Sequence, residues 1–246
     1  MECVANGSSE DFGDKRPGLV FVPGLGLDAR EWDGVRRCLR EHGVPDDESV
    51  VLLPSLGHPA AREVELHVEA LAGRLVEAVR ESKRGVVLVG HSASCPVVVE
   101  TAVRCASVVG LVLIGPVTDP RAATWPRMVA RWLRTAVHER LWEIPVLVPQ
   151  YSGTGLGSIV RGMNAMRSFR SDRAVARTSA PVAIVRGSRD RIAPYDWCRQ
   201  LVDAGAGPGS VTSVPGAGHM VPLTHPQAVA VAIRAVQNEI IDSNPR

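Results

Sequence analysis

The stretch GHSASCP, residues Gly90–Pro96, directly follows the apolar run Val86–Val89. Four consecutive apolar residues, three of them valine, are typical of a strand that is buried on both faces. Proline suits the first turn of a helix, where backbone N–H groups lack intrahelical acceptors. The stretch therefore predicts a tight strand-to-helix turn that carries two serines, Ser92 and Ser94. Either serine could be a nucleophile, or Ser92 could simply cap the helix.

The same alternation of strand and helix patterns runs through most of the chain. We predict strands at Leu19–Val22, Val50–Leu53, Val86–Val89, Val109–Ile114, Val182–Val185 and Val211–Val214. The intervening helices are predicted at Ala29–Glu41, Glu63–Glu81, Pro96–Ala106, Tyr195–Ala204 and Pro226–Ile241. Such alternation indicates an α/β fold, with a mostly parallel six-stranded sheet covered by helices on both faces.

The alternation is interrupted once, after the fourth strand. Residues 118–180 contain helical patterns, three of the five tryptophans and no convincing strand. We therefore expect a core formed by residues 18–117 and 181–246, with residues 118–180 inserted as a helical cap. Residues 1–17 are polar and are predicted to be a flexible N-terminus.

Chemically capable residues follow three of the predicted strands. In open parallel sheets, ligands bind beyond the carboxyl ends of the strands. Ser92 follows the third strand, Asp190 follows the fifth in the sequence GSRD, and His219 follows the sixth in PGAGH. A serine, an acid and a histidine are thus predicted at one edge of the sheet, in that chain order.

These motifs resemble those of the α/β-hydrolase superfamily, and the likeness covers Gly18–Ile241. The family's nucleophile turn reads small-x-Ser-x-small between a strand and a helix. Here Gly90 and Ser94 are the small residues on either side of Ser92, although the family usually has glycine where Ser94 stands. The resemblance implies that Ser92 is the nucleophile and that Ser94 is a packing residue or a minor polar contact.

The resemblance also implies a general base and an acid. His219 matches the family's base, and Asp190, in the pattern G-x-x-D-x-x-x-P, would orient the imidazole. Asp119 after the fourth strand is the alternative acid, because some relatives take the acid from that strand.

Three other histidines compete with His219. His225 precedes a proline at a helix start, which favours a surface or capping role. His91 lies inside the nucleophile turn, where the family often has a histidine without a proton-transfer role. His58 follows the second strand and could reach the rim of the pocket.

The loop after the first strand resembles the family's oxyanion loop. An oxyanion hole needs two backbone N–H groups aimed at the developing charge. The resemblance assigns these donors to Leu25 and Ala93, with Pro23 in place of the usual histidine and Trp32 at the expected distance downstream. Relatives commonly begin with a hairpin before this loop, which we expect to be absent or reduced here.

Composition bears on which metals, cofactors and macromolecular partners the protein could bind. The chain has 246 residues, a formal net charge of +2 and five cysteines without paired spacing. These features predict no metal, no cofactor and no nucleic-acid partner. We also expect a cytoplasmic protein without a membrane partner, because no signal peptide or long apolar stretch is evident.

The predicted cap carries an unusual charge. Residues 118–180 contain ten arginines and four acids, a net charge of +6, which leaves −4 for the rest of the chain. We expect an apolar stripe of Trp125, Met128, Trp132, Leu133, Val137 and Leu141 to face the active site, with the arginines above it. Arginines on an outer helix face are usually there for solubility, but these could also bind an acidic acyl carrier protein or coenzyme A.

Two classes of enzyme follow from the resemblance. The first is a serine hydrolase that cleaves a small-molecule ester, lactone or thioester through an acyl-enzyme. The second is an acyltransferase that moves a bulky or aromatic acyl group from a carrier-protein or coenzyme A thioester to an acceptor other than water.

Overall fold

The computed structural model describes residues 16–44 and 48–243. Its central sheet has six strands in the order β2-β1-β5-β6-β7-β8, and every neighbouring pair is parallel. These strands are β1 (Gly18–Val22), β2 (Glu48–Val50), β5 (Val86–His91), β6 (Val108–Ile114), β7 (Val182–Gly187) and β8 (Gly209–Val214). A separate short pair consists of β3 (Leu53–Pro54) and β4 (Gly57–His58). The predicted α/β class with a mostly parallel six-stranded sheet is confirmed.

Helices cover both faces of this sheet. One apolar core joins α1 (Asp33–Glu41) and α10 (Pro226–Ser243) to the sheet. A second core on the other face includes α2 (Val68–Val79), α3 (Cys95–Arg104) and α8 (Tyr195–Ala204). A sheet that is buried on both sides explains why its central strands are apolar at consecutive positions. A four-residue helix, α9 (Val221–Thr224), precedes α10.

Two predicted elements are shorter or displaced. The second strand ends at Val50, not Leu53, and the chain then turns into the β3–β4 pair. Helix α2 begins at Val68, not at Glu63. The residues before Val68 form a loop that Arg161 holds in a non-helical path. Its guanidinium donates to the carbonyl oxygens of Ala60, Ala61, Arg62 and Val64.

The segment between β6 and β7 is helical. It contains α4 (Trp125–Ala136), α5 (Ile144–Thr154), α6 (Leu156–Met166) and the short α7 (Ser171–Val175). Side chains of α4, of α5 and of the segment between them bond to the loops that follow β1, β7 and β8. The insertion therefore lies over the carboxyl edge of the sheet.

The predicted orientation of the apolar stripe in the cap is wrong for four of its six residues, whereas Trp125 and Met128 are half-buried. Trp132, Leu133, Val137 and Leu141 are exposed, with 56%, 55%, 76% and 83% of their surface accessible. The inward face of α4 is polar instead, because Thr135 and its neighbours bond to loops of the core.

Two further expectations concern the chain ends and the membrane. The predicted flexible N-terminus, 1–17, and the reduced hairpin fall mainly on residues 1–15, which lie outside the described residues. Across the described ranges, no helix combines the length and apolar character required to cross a bilayer.

Candidate active site

Ser92 occupies a tight turn between β5 and α3. Its backbone has φ of 55°, in the left-handed region that non-glycine residues rarely adopt. A Cβ atom at Gly90 would lie 2.9 Å from Val98 Cγ2 and 3.2 Å from Ser94 Oγ, so the turn has no space for a larger residue there. Such a strained backbone persists only where the surroundings enforce it, as is common at functional sites.

The structure brings Ser92, His219 and Asp190 together in one hydrogen-bonded chain. Ser92 Oγ lies 2.8 Å from His219 Nε2, and His219 Nδ1 lies 2.7 Å from Asp190 Oδ2. Asp190 is fully buried and His219 is 8% exposed. These three residues come from the ends of three different strands, as the sequence predicts for one edge of a parallel sheet.

The environment of Asp190 keeps its carboxylate ionised. Burial alone raises the pKa of Asp190, but the charge and hydrogen bond of His219 and two backbone N–H groups outweigh burial and lower it. These N–H groups belong to Ile192 and Ala193 and donate to Asp190 Oδ1 at 2.8 and 3.2 Å. Burial lowers the pKa of His219, whereas Asp190 raises it, and the net direction is upward.

The alternative acid, Asp119, is engaged elsewhere. Its carboxylate accepts hydrogen bonds from Arg121 and Arg131, the latter at 2.7 Å, and it also accepts the backbone N–H of Arg121. Its side chain is 1% exposed. Asp119 therefore links the start of the cap to α4, and the histidine takes its carboxylate partner from Asp190.

Ser94 forms part of the framework of the turn. Its hydroxyl accepts the N–H of His91 at 2.8 Å and donates toward the carbonyl oxygens of Val22 and His91 at 2.8 and 2.9 Å. Because Ser94 is completely buried, it connects the nucleophile turn to the end of β1. This serine fills the position where the family usually has glycine.

The competing histidines lie away from the hydroxyl of Ser92. His225 Nδ1 contacts Thr224 Oγ1 at the start of α10, and His58 is exposed beside Pro59. His91 is buried, and its Nε2 lies 3.2 Å from the carbonyl oxygen of His219.

Leu25, one of the two predicted oxyanion donors, lies in the loop after β1, and neighbouring N–H groups of that loop already have acceptors. Gly24 donates to Glu31 Oε2 at 2.8 Å, Gly26 donates to Ser55 O, and Leu27 donates to Gly24 O. Within residues 16–44 and 48–243, the N–H of Leu25 has no protein acceptor. Ala93 follows the serine in the first helical turn, where N–H groups lack intrahelical acceptors.

Sequence reasoning missed Glu31, which supports both sides of this site. It is fully buried; one carboxylate oxygen accepts the N–H of Gly24, and the other lies against Nδ1 of His91. A buried charge is costly unless it is paired. Glu31 therefore fixes the oxyanion loop relative to the nucleophile turn. The sequence gives little signal for this role, because Glu31 stands between two other acids, Asp28 and Asp33.

A second missed feature is a pair of carboxyl groups in the cap. Glu139 Oε1 accepts the backbone N–H of His219 at 2.5 Å. Glu143 is 1% exposed and accepts the N–H of Arg140 at 2.9 Å. Burial, and then the neighbouring Glu139, raise the pKa of Glu143 to about 7. No local sequence pattern predicts the contact between Glu139 and His219, because the two residues are 80 positions apart.

Most arginines of the cap have partners within the protein. Arg121 and Arg131 bind Asp119, whereas Arg167 donates to the carbonyl oxygen of Ala123 at 2.6 Å. Further partners are Asp172 for Arg170, Glu100 for Arg177, and the loop of residues 60–64 for Arg161. Four of these arginines bind partners within the cap and two, Arg161 and Arg177, bind the core, so most of the cap arginines are engaged within the protein.

Comparisons with known proteins identify the family. A sequence model described as "Alpha/beta hydrolase family" matches residues 19–232. The chain therefore belongs to the α/β-hydrolase family, and this membership supports a hydrolase as its class. A search of curated proteins finds no significant match.

Solved structures share this fold at low sequence identity. A protein from Desulfitobacterium hafniense, assigned to the alpha/beta hydrolase family, is 22% identical with a TM-score of 0.65, over 91% of this chain and 97% of that one. A protein from Acinetobacter baumannii AYE, assigned as a lipase, is 16% identical with a TM-score of 0.71, over 94% and 87%. A bromoperoxidase from Bacillus anthracis is 14% identical with a TM-score of 0.70, over 91% and 92%. At these identities the likeness concerns the fold alone.

Proposed function

We propose that this protein is a serine hydrolase that cleaves an ester, lactone or thioester through an acyl-enzyme on Ser92. One observation carries the proposal: the buried Asp190 carboxylate, the imidazole of His219 and the hydroxyl of Ser92 form a chain with contacts of 2.7 and 2.8 Å. A serine hydroxyl is a weak nucleophile until an adjacent base accepts its proton.

In the acylation step, Ser92 Oγ attacks the carbonyl carbon while its proton moves to His219 Nε2. The N–H groups of Leu25 and Ala93 stabilise the resulting oxyanion. The bond from the carbonyl carbon to the leaving oxygen or sulfur then breaks, and the imidazolium protonates that leaving group. Asp190 holds Nδ1 of His219 throughout and stabilises the imidazolium.

Deacylation repeats these proton movements with water. His219 removes a proton from water, the hydroxide portion attacks the acyl carbon, and the proton returns to Ser92 Oγ as the acid is released. Because the imidazole must be neutral to accept a proton, activity should decline on the acid side. The upward shift in the pKa of His219 places that decline above the ordinary value of 6.5.

A panel of water-soluble aryl esters, lactones and acyl thioesters tests this proposal. Wild-type protein should hydrolyse at least one class, and intact-protein mass spectrometry should detect a transient mass increase equal to the acyl group. Ser92→Ala should abolish both signals, whereas Ser94→Ala should retain them. Turnover that persists in Ser92→Ala would contradict the assignment.

A second candidate is an acyltransferase that uses the same acyl-enzyme with an acceptor other than water. It is supported by an open cleft of about 620 Å³ between α2, α3 and the end of the cap, lined by Arg104, Arg170, Arg173 and Arg177. Such a cleft suits the phosphates of coenzyme A or of a carrier-protein arm. Glu69 and Glu100 also line this cleft, and Glu100 contacts Arg104 and Arg177, so the positive charge is partly offset. Ser92, Asp190 and His219 do not line it.

Acceptor competition separates the two candidates. An acyltransferase should give acylated product and less free acid when alcohol or amine acceptors are added to a thioester donor. A hydrolase should give the same yield of free acid with and without the acceptor. Charge reversal at Arg173, for which the described residues show no carboxylate partner, should raise KM for a coenzyme A donor only if the cleft binds its phosphates.

A further inference from the structure

Helix α4 presents its apolar side to solvent. Val129, Leu133 and Val137 follow one another at helical spacing and are 45%, 55% and 76% exposed. The opposite side is polar and bonded: Arg131 reaches Asp119, and Thr135 Oγ1 accepts the N–H of Arg191 at 2.9 Å. A helix on a globular protein normally buries its apolar stripe and exposes its polar one. This helix does the reverse.

Helix α5 is built in the same way, and helix α6 shares part of this pattern. In α5, the buried positions are Gln150, which accepts the N–H of Asp28, and Thr154, whereas Val148 is 53% exposed. In α6, Ser158 is buried and accepts the N–H of Ala60. The exposed side of α6 carries Leu156 and Val160, which are 75% and 46% exposed. Aliphatic side chains thus point outward in three successive helices, although α6 also buries Met166 and packs Ile159 and Met163 against the core.

The outward side chains are concentrated in a short part of the chain. Among the described residues, fifteen large apolar side chains are exposed, and eleven of them lie between positions 129 and 160. We call the part from α4 to the first half of α5 the cap apolar surface. It comprises Val129, Trp132, Leu133, Val137, Leu141, Trp142, Ile144 and Val148, with no gap longer than four residues. Exposed apolar clusters of this kind mark binding surfaces.

Positive charge borders this surface. Arg127 and Arg134 are exposed, lie two turns apart on one flank of α4, and have no carboxylate partner among residues 16–44 and 48–243. Arg140 is exposed at the turn after α4. The acids nearest in sequence are turned toward the core, where Glu139 accepts the N–H of His219 and Glu143 is buried. Exposed arginines therefore flank the exposed apolar side chains of α4.

We propose that the cap apolar surface docks on an anionic lipid–water interface. An amphipathic helix with a basic flank and exposed tryptophans binds such interfaces with its apolar side in the lipid and its arginines at the headgroups. A second copy of the chain carries the same basic edge, so it supplies no complementary negative charge there. From the sequence we expect a protein without a membrane partner. Periodicity alone does not reveal that the apolar side of α4 faces away from the core.

This surface lies directly over the candidate active site. Its polar underside bonds to the loops that carry Asp190, His219 and the oxyanion loop, through Thr135, Glu139 and Gln150. If the proposed function holds, docking would deliver acyl substrates of low water solubility from the lipid–water interface to Ser92. Docking itself does not depend on catalysis, so vesicle binding and ester hydrolysis test the two proposals independently.

Vesicle sedimentation tests the docking. Vesicles of pure phosphatidylcholine are compared with vesicles containing phosphatidylglycerol, using the full chain at low and high salt. The double variant Leu133→Ser/Val137→Ser should weaken binding to anionic vesicles by roughly tenfold or more. The matched control is Val231→Ser in α10, because Val231 and Leu133 are both 55% exposed. Arg127→Gln/Arg134→Gln should weaken binding at low salt and reduce its dependence on salt.

Fluorescence provides an independent signal. Trp132 and Trp142 are about half exposed, whereas Trp32 and Trp197 are fully buried. A blue shift on adding anionic vesicles, absent in Trp132→Phe/Trp142→Phe, supports the proposal. Thermal melting confirms that each variant is folded.

Three results would overturn it. The first is that wild-type protein fails to bind anionic vesicles, and the second is that Leu133→Ser/Val137→Ser binds as well as wild type. The third is a dimer, or a complex with an acidic carrier protein, that the same double variant disrupts while vesicles remain unbound. That result would assign the surface to a protein partner.

Discussion

Replacing Glu143 with glutamine should make the stability of the protein less dependent on pH. Glu143 is 1% exposed, and its pKa is about 7, compared with an ordinary value of 4.5. A carboxyl with a raised pKa favours folding while it is neutral. The free energy of unfolding of the wild-type protein should therefore fall as the pH rises from about 4.5 to about 7, and then level off. At about 1.4 kcal/mol per pKa unit, the loss is about 3 kcal/mol at most.

Glutamine resembles the neutral acid in shape and hydrogen bonding. Its carbonyl oxygen can accept the N–H of Arg140, and its amide can donate toward Glu139. Glu143→Gln should therefore match wild type near pH 5 and exceed it by up to about 3 kcal/mol at pH 8.5.

Urea unfolding at both pH values measures this difference. The control is Glu77→Gln, because the side chain of Glu77 is 63% exposed and its change should be small at either pH. If the difference between Glu143→Gln and wild type is the same at pH 5 and pH 8.5, the interpretation of the carboxyl pair is refuted.

Four further substitutions test the framework of the site. Asp190→Asn should reduce turnover by about 10⁴-fold in steady-state kinetics, as tautomer loss does in a serine-protease triad. Asp119→Asn should have a far smaller effect on turnover. It should instead lower the free energy of unfolding by about 3 kcal/mol, because the Asp119 carboxylate binds two arginines. The reverse ranking would move the acid to the loop after β6. Ser94→Ala should cost about 1–3 kcal/mol in urea unfolding, because a buried N–H loses its acceptor, yet retain turnover; loss of turnover in folded protein would contradict its framework role. Gly187→Ala should displace the loop of His219, because a Cβ there would overlap the carbonyl oxygen of Gly218; a variant that folds with wild-type kcat would disprove this contact.

The sheet and the three central residues could be predicted because their signals are local. Buried parallel strands appear as short apolar runs, and Ser92, Asp190 and His219 each stand directly after one of them. Parallel strands place those positions at one edge, so local patterns predict that these residues lie close together. The choice of Ser92 over Ser94 and of Asp190 over Asp119 comes from the resemblance to the α/β-hydrolase superfamily.

The cap could not be predicted in the same way. The periodicity of α4 reveals an apolar stripe, but its direction depends on which side finds the stronger partners. In this protein the polar side of α4 faces the core, because Arg131 and Thr135 bond to loops that are distant in sequence. Glu31 and Glu139 were missed for a similar reason, since each acts by accepting a backbone N–H that no sequence pattern identifies.

Covalent labelling tests the central claim most directly. A fluorophosphonate reacts with a serine whose hydroxyl is activated by an adjacent base, and the adduct can be located by peptide mass spectrometry. The account predicts a single adduct per chain, on Ser92, in wild type and in Ser94→Ala. It predicts no adduct in Ser92→Ala and a greatly slowed reaction in His219→Ala. An adduct that maps to Ser94, or that survives in Ser92→Ala, would contradict it.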